Sequence, residues 1–190
     1  MESRQGRVIV IGGCPRVGKT TLAVRLVKGG GGFSRVSLDH LDYALRAGYP
    51  EIKRDGVRKF KFIKTLLEKL VDDAETHGIN SVVDEYDFSP EDIEKLPFKD
   101  KLGVYFLGVP DVPAVEIKEH IRRHDTPADW TSRIDDKYLL MAVKKMLVQN
   151  ALIREQCEKY GYRFAVTGVG GGRDAALDAL YAEITERYGL

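Results

Sequence analysis

A three-layer α/β fold is the architecture this sequence predicts: a five-stranded parallel sheet with helices on both faces. Three observations predict it. Five short runs rich in β-branched and aromatic residues alternate with helix-period segments, the pattern of strands joined by crossover helices. The first run, residues 7–12, leads straight into a glycine loop, Gly13-Cys14-Pro15-Arg16-Val17-Gly18-Lys19-Thr20, followed by Thr21. Finally, 190 residues without an internal repeat, linker or low-complexity tail suit one domain over 1–190.

Taken in order, residues 7–12 (Arg-Val-Ile-Val-Ile-Gly) read as a buried strand, and 21–28 as the helix after the loop. Four glycines, 29–32, end that helix. Residues 33–38 form a short second strand, which stops at Asp39-His40-Leu41-Asp42 and passes into a helix reaching about Arg46. Val57, Phe60, Ile63, Leu67, Leu70 and Ala74 then recur at helical spacing, which predicts a long amphipathic helix closed by His77-Gly78. Its basic first half reads as a solvated face.

Residues 79–83 are the third strand, ending in Asp84-Glu85. Ser89-Pro90 opens a helix with Ser as cap and Pro at the first helical position. Residues 102–107 are the fourth strand. A helix follows to about Arg123, then an irregular excursion over 124–131. A helix resumes near Asp135 and carries Leu139, Val143, Met146, Ile153 and Cys157 on one face. Residues 162–166 form the fifth strand, and a glycine loop over 168–172 precedes the last helix.

The loop fits G-x-x-x-x-G-K-[ST], a phosphate-binding P-loop. The loop residues Gly13, Cys14, Pro15, Arg16, Val17 and Gly18 would wrap the phosphates, with backbone N–H groups pointed inward. Lys19 would reach the β- and γ-phosphates, Thr20 would bind Mg²⁺, and Thr21 continues the cradle into the helix N-terminus, which itself favours an anion. The expected cofactors are therefore ATP and Mg²⁺.

Ligands of an open parallel sheet collect at the carboxyl ends of its strands. Asp39 leaves strand two there, and is read as a base or orienter of an acceptor hydroxyl, against the plainer role of a helix cap. Asp42 and Glu85 are alternatives for the acceptor-side acid. Asp84 ends an apolar strand and is the expected Mg²⁺ acid. A second constellation, Arg122-Arg123-His124 through Arg133-Ile134-Asp135-Asp136, flanks a lid-like segment over about 122–136. Arg123 and Arg133 are the candidates there for stabilising charge in phosphoryl transfer.

Formal net charge is +1, which argues against a dedicated nucleic-acid binder. Two cysteines, Cys14 and Cys157, build neither a disulfide framework nor a metal knuckle. No apolar stretch is long enough to span a bilayer. A cytoplasmic protein with a small-molecule partner is the expectation.

With these motifs the chain resembles the P-loop kinases of small molecules, the nucleoside, nucleotide, shikimate and antibiotic kinases. Arg133-Ile134-Asp135-Asp136 resembles the R-x-D-D lid motif of adenylate kinases, with Lys144 where their second arginine stands. The resemblance implies a P-loop NTPase fold, transfer of the γ-phosphoryl group of ATP to a hydroxyl, Asp39 at the acceptor, and residues 167–172 near adenine. Asp84-Glu85-Tyr86-Asp87-Phe88 replaces the D-G-F-P-R of adenylate kinases, so the arginine for an acceptor phosphate is missing. A hydroxylated acceptor suits this better than a nucleoside monophosphate. A nucleoside monophosphate kinase and an NTPase without a small-molecule acceptor are the competing readings.

Overall fold

The structure, a computed structural model, describes residues 6–49, 56–84, 88–127, 129–168 and 172–189. Glu85, much of the acidic run after strand three, and part of the last glycine loop lie outside them. In chain order the elements are β1 Val8–Gly13, α1 Lys19–Lys28, β2 Phe33–Ser37, α2 Leu38–Gly48, α3 Gly56–His77, β3 Asn80–Asp84, α4 Pro90–Glu94, β4 Leu102–Gly108, α5 Ala114–His124, α6 Asp136–Tyr160, β5 Arg163–Val166 and α7 Arg173–Tyr188. All five strands are parallel, in the order β2-β3-β1-β4-β5. The predicted fold class is the observed one.

β1 is buried along its whole length because it lies at the sheet's centre, between β3 and β4, with helices on both faces. A strand covered on both sides gains from being apolar at every position, which explains the unbroken Val-Ile-Val-Ile run. α1 and α7 pack on one another, α1 against β1, β2 and β3, and α7 against β5. α3 packs on β1 and β3, while α6 packs on β4, β5, α4 and α5.

α3 buries Ile63, Leu67, Val71 and Ala74, a stripe at helical spacing. Val57, expected on that face, is 80% exposed; the buried stripe starts at Ile63. The capping of α4 is as expected and more complete. Ser89 accepts from the Asp92 backbone, and the Asp92 side chain accepts from the Ser89 backbone, a reciprocal capping box. On α6 the buried stripe includes one polar residue, Asn150. Its amide oxygen accepts from Val109 N–H at 2.9 Å and its amide nitrogen donates to Val109 C=O at 3.1 Å. A buried amide satisfied on both sides fixes the backbone where β4 ends.

Register places the site. Asp84, at the end of β3, is level with Ile11 on β1 and with Ser37 on β2. The carboxyl ends of three neighbouring strands therefore form one edge, and the P-loop, Asp39 and Asp84 all leave from it.

Candidate functional site

α1 starts at Lys19, two residues earlier than the periodicity suggests, with Gly18 as its left-handed N-cap at φ 99°. Both P-loop glycines are required by packing as well as by the backbone turn. Gly13 has φ 118°, and a Cβ there would sit 1.9 Å from the Leu107 carbonyl oxygen on β4. A Cβ on Gly18 would meet Leu177 of α7 at 2.9 Å. The loop is thus wedged between β4 and α7, and its shape is set by the scaffold. Thr167 adds a tie: its hydroxyl donates to the Val17 carbonyl at 2.6 Å. Lys19 is buried, its ammonium donating to the carbonyls of Gly13 (2.9 Å) and Cys14 (2.6 Å). This curls the side chain back over the loop it would serve. Cys14 is fully buried, and burial pushes its thiol up to about 11, so it is packing rather than a nucleophile.

The loop opens on a cavity of about 600 Å³ lined by residues including Lys19, Thr20, Thr21, Asp39, Trp130 and Arg173. A shallower hollow of about 680 Å³ shares Thr20 and Thr21 and runs on between α1 and α7. The first holds the converging polar groups and is the better site. Asp39 is exposed and lines it. The N-cap of α2 is Ser37, and Asp39 sits inside the first turn, so the helix-cap role does not fall to Asp39. Asp42 faces away, paired with Arg46 and 3.9 Å from Lys59 of α3.

Asp84 is 4% exposed, and Thr20 donates to its Oδ2 at 2.9 Å. Arg35 of β2 grips the same carboxylate with both arms of its fork, Nε to Oδ1 at 2.9 Å and Nη2 to Oδ2 at 2.7 Å. The fit of Mg²⁺ can be judged from this donor set. A hydroxyl and a carboxylate in contact are hard oxygen ligands of the kind the ion takes. Among the described residues no group of three His, Cys, Asp or Glu side chains could hold a metal alone. The ion would then arrive with phosphates, as it commonly does.

Segment 125–135 is fastened at several points. Arg122 donates to the carbonyls of Thr131 and Ile134, both at 2.7 Å, and to Asp136 at 2.8 Å. Arg16, at φ 66° the one non-glycine in the left-handed region among the described residues, pairs with Asp129 and with Asp125 at 3.1 Å. It also donates to the His124 carbonyl at 3.4 Å. The Thr126 backbone N–H, its hydroxyl and Arg16 hold the Asp129 carboxyl below the usual range. Arg123 and Arg133 are exposed and do not line the P-loop cavity, so the described arrangement does not bring them to the loop.

The backbone is similar to that of several solved structures. Shikimate kinase from Bacteroides thetaiotaomicron matches with a TM-score of 0.60 at 13% identity, covering 97% of this chain and 99% of that one. The tunicamycin resistance protein of Deinococcus radiodurans matches at 0.55 and 18%, over 94% and 95%. A gluconokinase from Sinorhizobium meliloti 1021 matches at 0.50 and 14%, over 98% and 99%. The fold is that of the P-loop small-molecule kinases. No protein-family model matches the sequence, and no curated protein matches it.

Within that P-loop kinase fold, three arginines at the site were not singled out for their observed roles by the sequence. Arg16 enters the loop motif only through its backbone, yet its side chain bridges to Asp125 and Asp129. Arg35 sits inside a strand, and a charged residue between Ser34 and Val36 was the available signal. Arg173 opens α7, donates to the Thr21 hydroxyl at 3.4 Å and lines the cavity, with its Nε buried and unpaired among the described residues. Trp130, half exposed, lines the same cavity.

Proposed function

We propose that this chain is an ATP-dependent kinase that transfers the γ-phosphoryl group to a hydroxyl of a small molecule. The observation that carries the reading is the meeting of Lys19, Thr20 and Asp39 around one P-loop cavity. Loop amides and the Lys19 ammonium would hold the phosphates, exchanging the carbonyls of Gly13 and Cys14 for phosphate oxygens. Thr20, aimed by Asp84, would hold Mg²⁺, which neutralises charge on the β- and γ-phosphates when bound. Asp39 would orient the acceptor hydroxyl and take its proton. The acceptor oxygen gains the bond to the γ-phosphorus, the bond to the ADP oxygen breaks, and Asp39 returns the proton to water.

Arg123 and Arg133 would serve only after segment 122–136 moves toward the phosphates, as a lid on the single domain 1–190. Catalysis of this kind rests on positioning and charge, which such a closure supplies. No helix among the described residues is long and apolar enough to cross a membrane, and a cytoplasmic site of action, where ATP is supplied, goes with the reading.

The test is ADP release from ATP and Mg²⁺, with and without a panel of sugars, nucleosides and aminoglycosides. Acceptor-dependent ADP release together with a phosphorylated acceptor is the expected result. Steady turnover that ignores every acceptor would make the chain an NTPase, and phosphorylation of nucleoside monophosphates alone would make it a nucleotide kinase.

A further inference from the structure

We propose that Arg35 is the counter-cation of the metal site, setting how much Mg²⁺ the site demands. The inference rests on the kinase reading above. An ionised carboxylate offers about four lone-pair positions. On Asp84 three are used: Arg35 Nε on Oδ1, and Arg35 Nη2 with the Thr20 hydroxyl on Oδ2. At most one position remains, so Asp84 is built to hold Thr20 rather than to offer an open face to an ion. Its charge is also cancelled locally, since the guanidinium is always protonated and grips it bidentately.

Support for a role at the site comes from position. Arg35 lies on the edge strand β2, and its side chain crosses to the end of β3 where the P-loop threonine meets Asp84. Its side chain is 24% exposed and that of Asp84 is 4% exposed, so a buried carboxylate meets a partly open guanidinium at the carboxyl edge of the sheet. A paired charge of this kind adds little to stability against an apolar replacement, whereas it changes the field at Thr20 by a full unit. Arg35 and Asp84 together present a neutral, rigid acceptor for the Thr20 hydroxyl hydrogen bond, which leaves the hydroxyl lone pairs for the metal. Thr20 would then hold Mg²⁺ together with phosphate oxygens and water, and Asp84 would act through Thr20.

The experiment measures ATP binding, not turnover, across a Mg²⁺ titration. Trp130 is the only tryptophan and lines the cavity, so energy transfer from it to an N-methylanthraniloyl ATP reports binding. Arg35→Gln leaves Asp84 uncompensated, and the Mg²⁺ midpoint falls by about threefold or more, the size expected of one unit charge near the ion in a water-like dielectric. Asp84→Asn leaves the guanidinium uncompensated, and the midpoint rises by a similar factor. The double variant returns toward the parental value, and Arg35→Lys stays close to it. An unchanged or raised midpoint in Arg35→Gln overturns the proposal, as does a double variant that behaves like Asp84→Asn alone. Should Arg35→Gln not fold by thermal melting, an unchanged midpoint in Asp84→Asn overturns it independently. A parental protein with no Mg²⁺-dependent ATP binding at all would instead remove the kinase reading.

Discussion

At the scale of single residues the proposed chemistry rests on Lys19 and Asp39, and the two fail differently. Lys19 is the P-loop's own cation, held against two loop carbonyls. Lys19→Ala should lower acceptor-dependent turnover on the order of 10²-fold or more, as loss of one preorganised charge-stabilising group does, and should weaken ATP binding measured by calorimetry. Parental turnover in that variant would end the P-loop reading. Asp39 needs a subtler change. Ser37 occupies the N-cap of α2, so Asp39→Asn should leave the melting temperature and ATP affinity alone. If Asp39 activates the acceptor, turnover falls by at least about tenfold, the low end of general-base effects, because a loose phosphoryl-transfer transition state needs little proton abstraction. A fully active Asp39→Asn enzyme would send the role elsewhere.

Between elements, the decisive contact is Arg16 with segment 125–129. One side chain ties the loop after β1 to the connection between α5 and α6, through Asp125, Asp129 and the His124 carbonyl. Asp125 is itself held by Arg122 and by the Thr131 hydroxyl, so the tie reaches the turn that carries Trp130. Arg16→Ala should free that turn. Acrylamide quenching of Trp130 fluorescence should rise about twofold, the quencher reaching a half-exposed ring more often once its anchoring ion pairs are gone. Quenching equal to the parent would mean that Arg122 alone holds the segment. Because Arg16 is itself in the left-handed region, the substitution does not relieve backbone strain, and the readout isolates the ion pairs.

For the molecule as a whole, the P-loop belongs to the core as much as to the site. Gly13 faces the Leu107 carbonyl on the neighbouring strand, and strand pairing of Gly13 with Leu107 leaves no freedom to retreat. Gly13→Ala should therefore destabilise the fold by about 2–4 kcal/mol, combining positive-φ strain with a backbone clash, visible as a lower denaturant midpoint before any nucleotide is added. A variant of parental stability that had lost only ATP binding would show that the glycine serves the ligand alone.

Much of this was legible along the chain because it depends on local period and spacing. Alternating strand and helix patterns announced the parallel sheet, the unbroken apolar β1 announced a strand covered on both faces, and Ser89-Pro90 announced the start of α4. The G-x-x-x-x-G-K-T spacing pointed to the candidate site, since a P-loop is built from consecutive residues. Strand order, by contrast, depends on which hydrophobic faces meet, and no local signal encodes it. The same holds for contacts between residues far apart in sequence: Arg35 with Asp84, Arg16 with Asp129, Arg173 with Thr21, and Gly13 with Leu107. Each needs two elements brought side by side by burial of the core between them. The sequence alone determined an α/β protein with a glycine loop after its first strand and acids at the carboxyl edge of its sheet; tertiary packing decided which charges those acids meet, because a side chain's partner is chosen by register and crossing geometry rather than by its neighbours in the chain.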